Sequence, residues 1–87
     1  MRRAAKRDLA EQPIVQALKQ IGAQVWLLDY PVDLLVYFRE RWFLLEVKTG
    51  KGKVRKEQTA QRNFIESTNA PIVRTPIEAL RAIGATP

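Results

Sequence analysis

Apolar residues along this chain change their spacing from segment to segment, and the changes mark out the elements. Leu9, Ile14, Ala17, Leu18 and Ile21 recur at helical spacing on one face, and Gly22 follows as a C-cap. Pro13 is tolerated only in a first turn, so the helix is predicted to start at Glu11 or Gln12. Ala23 to Asp29 predicts a strand that shows Val25 and Leu27 on one face and Trp26 and Leu28 on the other, as a strand buried between layers would. Asp29-Tyr30-Pro31 ends it, because proline lacks the ladder donor. The runs Leu34 to Phe38 and Trp42 to Val47 flank Arg39-Glu40-Arg41 and predict a β-hairpin. Arg39-Glu40 suits the positive φ of a two-residue turn badly, so a four-residue loop from Phe38 to Arg41 is expected, with Tyr37 paired to Trp42. A helix from about Arg55 to Ser67 should turn Ala60, Phe64 and Ile65 toward the sheet, and Ile72 to Arg74 should form a short strand. Thr75 as N-cap, Pro76 at N1 and Glu78 in a capping box open a last helix with Ile77, Leu80, Ala82 and Ile83 apolar, ended by Gly84. The order is α-β-β-β-α-β-α, an α/β class, and residues 1–87 are expected to form a single domain with 1–8 as a basic arm.

The hairpin carries an anomaly at its open end. Glu46 and Lys48 point the same way along their strand, with Val47 pointing into the opposite layer. The expected register sets Asp33 directly across from Glu46, so two carboxylates meet with an ammonium two residues along. Opposed like charges destabilise a sheet, and a divalent cation supplies a compensating reason. Mg²⁺ takes oxygen ligands, is held by one or two carboxylates, and keeps several waters. Asp33 and Glu46 provide the two carboxylates, and the Val47 carbonyl is a candidate third ligand.

Composition narrows the chemistry. With no cysteine and no histidine among 87 residues, thiolate and imidazole metal sites and Ser-His or Cys-His triads are excluded, so any metal must be hard and oxygen-ligated. No apolar run approaches the roughly 18–20 residues that span a bilayer, and no apolar h-region follows the basic N-terminus, so a cytoplasmic protein is expected. The net charge of +6 is concentrated in two places: Arg2, Arg3, Lys6 and Arg7 at the start, and six Lys/Arg against Glu57 between residues 48 and 62. Clustered cations point to a polyanion, nucleic acid being the commonest, where the bland alternative is a solubility tail and a solvated loop. Thr49 to Val54, TGKGKV, lacks the GxxxxGK[ST] spacing of a Walker site. Its Lys51 and Lys53, with Arg55 and Lys56, read instead as clamps on a phosphate backbone, joined by Arg2 and Arg3 of the arm. Tyr37 and Trp42 read as core side chains, with stacking on bases as the alternative.

Asp33, then Glu46-Val47-Lys48, then Gln58 beyond a basic loop, resembles the PD-(D/E)XK nuclease superfamily, and the segment EVKTGKGKVRKEQ looks like its VRR-NUC branch, found in phage and repair nucleases. The resemblance implies a restriction-endonuclease-like core, a central four-stranded mixed sheet flanked by helices. It implies Mg²⁺ or Mn²⁺ as cofactor, hydrolysis of DNA to 5′-phosphate and 3′-hydroxyl ends, and branched substrates such as Holliday junctions or flaps. By the same resemblance Asp33, Glu46 and Lys48 are catalytic, Gln58 is a site residue with Gln61 as the fallback, and Glu11 on the first helix approaches the metal, unless it merely favours the positive end of the helix dipole. The order Pro31-Val32-Asp33, where the family sets Pro beside Asp, keeps Asp29 as a lesser candidate. A chain this small has too little surface to surround a duplex, so a homodimer is expected. Two other classes stay open: a non-catalytic nucleic-acid-binding module on the same fold, and an assembly subunit in which Asp33, Glu46 and Lys48 form an interior ion-pair cluster.

Overall fold

A computed structural model describes residues 9–48 and 59–85. Helix α1 (Glu11–Gln20), strands β1 (Gln24–Leu27), β2 (Leu34–Phe38) and β3 (Arg41–Val47), helix α2 (Thr59–Thr68), strand β4 (Ile72–Val73) and helix α3 (Pro76–Ala82) follow in the expected order. The sheet runs β1-β2-β3-β4, with the first two pairings antiparallel and β3/β4 parallel, so it is mixed. Among the described residues, no helix is long and apolar enough to cross a membrane.

Both outer helices end the same way. The Gly22 N–H donates to the Lys19 carbonyl at 3.0 Å and the Ala23 N–H to Leu18 at 3.1 Å; Gly84 and Ala85 repeat this with Arg81 at 3.0 Å and Leu80 at 2.8 Å. Each is a Schellman closure, which needs a left-handed residue, and the two glycines supply it at φ 93° and 76°. At the start of α3 the Thr75 Oγ1 accepts from the Glu78 N–H at 3.1 Å, while Glu78 Oε1 accepts from the Arg74 N–H at 2.7 Å. The capping box thus closes one residue upstream of the cap itself.

Strand alternation divides the sheet into two unlike faces. Leu34, Val36 and Phe38 of β2 share one face with Leu45, Val47 and Val73, and α1 and α3 lay Ile14, Leu18, Ala79 and Ile83 on it to make the core. The other face carries Leu35, Tyr37, Trp42 and Leu44, and α2 crosses its β3 side through Gln61 and Phe64. Four expected inward positions face water instead. Leu9 is 86% exposed and Ile21 is also exposed, because one precedes α1 and the other caps it, and the helical period does not extend to them. Ala60 lies off the inward stripe set by Gln61, Phe64 and Ile65, and Ile77 lies off that of Ala79 and Ile83.

Two strand expectations are also corrected. β1 is not sandwiched between layers: it is the outermost strand, and Trp26 and Leu27 are exposed on opposite faces. An apolar pattern on both faces is shared by buried strands and by open edges, and periodicity alone does not separate them. The hairpin turn is two residues, not four, because Phe38 pairs with Arg41. Arg39 and Glu40 sit at φ 53° and 67°, the left-handed region that the twist of a two-residue hairpin selects. The register required to bury Leu34, Val36 and Phe38 overrides the local cost of placing side chains there, and the Arg39 guanidinium, 4.7 Å from the Phe38 ring centroid, offsets part of it. Replacing Arg39-Glu40 by Asn-Gly should therefore raise the urea midpoint, by about 1 kcal/mol of stability at unchanged m. A lowered midpoint would show that the turn is not under this strain.

Candidate active site

Asp33 precedes β2 by one residue and Glu46 is the penultimate residue of β3, so the ladder that pairs Leu34 with Leu45 carries on to set them opposite each other. The Glu46 N–H is committed to the other side of its strand, donating to the Pro71 carbonyl at 2.9 Å. The 33/46 pair is therefore of the non-hydrogen-bonded kind, in which facing side chains come closest. Val47, whose N–H points back toward β2, finds the Asp33 carboxylate there: Oδ2 accepts its N–H at 2.9 Å. This charge-assisted bond, worth on the order of 2 kcal/mol, holds Asp33 where the strand ladder would otherwise continue. In a strand the carbonyl of a residue faces the same neighbour as its N–H, so the Val47 carbonyl is turned toward this side too.

Glu46 is only 2% exposed, and three groups meet it. Lys48 Nζ lies 3.4 Å from Oε2, and Gln61 Nε2 on α2 donates to Oε1 at 3.3 Å. The third is Asp33. Burial, and then the neighbouring Asp33 charge, push the Glu46 carboxyl up from 4.5 to about 7 against the opposing pull of Lys48. One ammonium faces two carboxyl groups, and a donor set of oxygens with surplus negative charge fits a hard divalent cation.

Asp33, Glu46, Val47 and Lys48 are thus brought together. Glu11 is buried on the inward stripe of α1, and Asp29 is exposed in the β1–β2 loop. Among the described residues no group of three His, Cys, Asp or Glu side chains is placed to hold a metal ion. Glu11 takes an inward position of α1, one turn before Ile14 and two before Leu18. Gln61, the fallback, donates to Glu46. Gln58, Lys51, Lys53, Arg55, Lys56, Arg2 and Arg3 lie outside the described residues. Comparisons with protein-family models, with curated proteins and with solved structures return no match.

The raised Glu46 pKa has a definite linkage sign. Between about pH 4.5 and 7 the folded metal-free protein holds a proton on Glu46 that the unfolded chain has released, so Glu46 weakens folding progressively as pH rises through that window. Glu46→Gln should remove this, leaving the variant more stable than the parent above pH 7 in EDTA, by on the order of 3 kcal/mol, and similar to it near pH 4.5. Urea unfolding of both at several pH values measures it, and parallel pH curves would contradict the assignment.

Proposed function

We propose that this chain is a metal-dependent nuclease of the PD-(D/E)XK kind, of VRR-NUC type, hydrolysing phosphodiester bonds of DNA with Mg²⁺ or Mn²⁺. The observation that carries the reading is the meeting of Asp33 with a nearly inaccessible Glu46 whose carboxyl is raised to about 7, with Lys48 beside them. Such an arrangement is costly for a folded protein and useful to one that binds a cation. The net charge of +6 and the resemblance of the EVKTGKGKVRKEQ segment support the same conclusion.

Asp33 and Glu46 would hold the ion, with the Val47 carbonyl as a third oxygen. Bound there, Mg²⁺ supplies Lewis acidity toward a phosphate oxygen and lowers the pKa of a coordinated water. Lys48, anchored by Glu46, directs its ammonium protons at the attacking water or a phosphate oxygen and offsets the charge that develops on phosphorus-bound oxygens. Gln61 fixes the Glu46 carboxylate, as outer-shell partners of metal ligands do. The same reading implies a homodimer that presents two such sites to the strands of branched DNA. A second reading, a nucleic-acid-binding module that keeps the acidic cluster as structure, is favoured by one observation: Lys48 and Gln61 already satisfy both Glu46 oxygens without an ion.

Asp33→Ala, Glu46→Ala and Lys48→Ala should each abolish Mg²⁺-dependent cleavage of supercoiled plasmid and of a synthetic four-way junction while leaving the far-UV circular dichroism unchanged. Gln61→Ala should lower the rate by about tenfold without abolishing it. Full activity in any of the first three removes that residue from the mechanism, and binding of DNA with no cleavage in either metal favours the second reading.

A further inference from the structure

The face of the sheet that carries Asp33 and Glu46 also carries an open row of aromatic rings. Alternation puts Leu35 and Tyr37 of β2, Trp42 and Leu44 of β3, and Trp26 of β1 on that face. Trp42 is 61% exposed and Trp26 43% exposed, and their ring centroids are 5.9 Å apart. The Tyr37 ring centroid lies 4.6 Å from that of Trp42. From Trp42 an apolar cleft of about 470 Å³ continues over Leu35 and Leu44 to Phe64 and Pro71 at the α2 side. The expectation that Tyr37 and Trp42 simply pack in the core does not hold for Trp42.

Scattered exposed apolar residues need no explanation, but Trp26 and Tyr37 gathered around Trp42 beside an apolar cleft do. Their position is specific. Tyr37 and Trp42 are directly paired, four steps along the ladder from the Asp33/Glu46 pair. At about 3.3 Å per residue that is roughly 13 Å, a span of a few nucleotides. Lys48 stands at the acidic end of this face, beside Glu46, on a chain with six more cations than anions. Positive charge beside exposed aromatic rings lets phosphates be held while bases lie on ring faces.

We propose that Trp26, Trp42 and Tyr37 form a stacking platform for unpaired bases, which leads a single strand along the sheet toward Asp33 and Glu46. The proposal rests on the nuclease reading and sharpens it: the preferred substrate has unpaired bases within a few nucleotides of the bond that is cut. Duplex bases, stacked on one another, do not offer their faces to this row. A second copy of the chain is the competing occupant of the same surface.

The chain's two tryptophans are both in the row, so its intrinsic tryptophan fluorescence reports on this surface alone. The full chain in EDTA, titrated with oligothymidylate, should show saturable quenching that a duplex of equal length does not produce. Trp42→Ala and Trp26→Ala should each weaken oligothymidylate binding by about tenfold, read by anisotropy of a labelled strand, while Trp42→Phe retains most of it and duplex binding is unchanged. Equal affinity for single strand and duplex without quenching would overturn the platform. So would a doubling of mass on concentration without nucleic acid that Trp42→Ala abolishes, which assigns the surface to a second copy. Cleavage measured in Mn²⁺ on the same preparations separates the two claims. Cleavage without quenching ends the platform and leaves the nuclease; quenching with the tenfold losses but no cleavage ends the nuclease and leaves the platform.

Discussion

Two carboxyl groups facing each other across a sheet repel, and burying one of them compounds the cost, yet Glu46 is 2% exposed directly opposite Asp33. The rest of the structure accommodates this pair. The two-residue turn at Arg39-Glu40 sets its register at one end of the hairpin, and the Val47 N–H fastens Asp33 at the other. Parallel pairing with β4 draws the Glu46 N–H to Pro71 and the Lys48 N–H to the Val73 carbonyl at 3.1 Å, fixing the backbone on both sides of Val47. Val47 itself is buried in the core. A slip of one residue would send Val47 to the acidic face and Glu46 into the layer under α1 and α3, so the packing of the apolar face guards the geometry of the acidic one.

The division of labour between the two faces follows from how the helices are spent. α1 and α3 together cover one face with Ile14, Leu18, Ala79 and Ile83, and stability is concentrated there. α2 covers the other face only in part. Near its start it brings Gln61 onto Glu46, and one turn on Phe64 lines a cleft shared with Trp42. An incompletely covered sheet leaves room beside the acids for a ligand, which a sheet covered on both faces would not.

Much of this was readable in the residues. The order of elements, the Gly22 and Gly84 closures, the Thr75 cap and the Tyr37/Trp42 pairing each rest on a local signal: a period, a glycine or a capping residue. The opposition of Asp33 and Glu46 was also legible, because any turn centred between Arg39 and Glu40 gives the same register whatever its length. The length itself was misread, since local propensity disfavours Arg and Glu at positive φ and only the packing of Leu34, Val36 and Phe38 overrules it. Glu11 illustrates the converse. Its place on the first helix is plain from the sequence, but whether that face of the helix meets the acids or the core depends on how α1 lies on the sheet.

The amino-acid sequence by itself determined the α/β order, the absence of any thiolate or imidazole chemistry, the basic character, and which two acids and which lysine share a face. Those properties depend on spacing along one chain or on composition. Tertiary structure alone decided that β1 is an edge, that Gln61 reaches Glu46, that Glu46 is buried enough to hold its proton to about pH 7, and that two tryptophans stand open to solvent on the acidic face. Each of these depends on which elements cover which surface, and covering brings together residues distant in sequence, where no local period carries a signal.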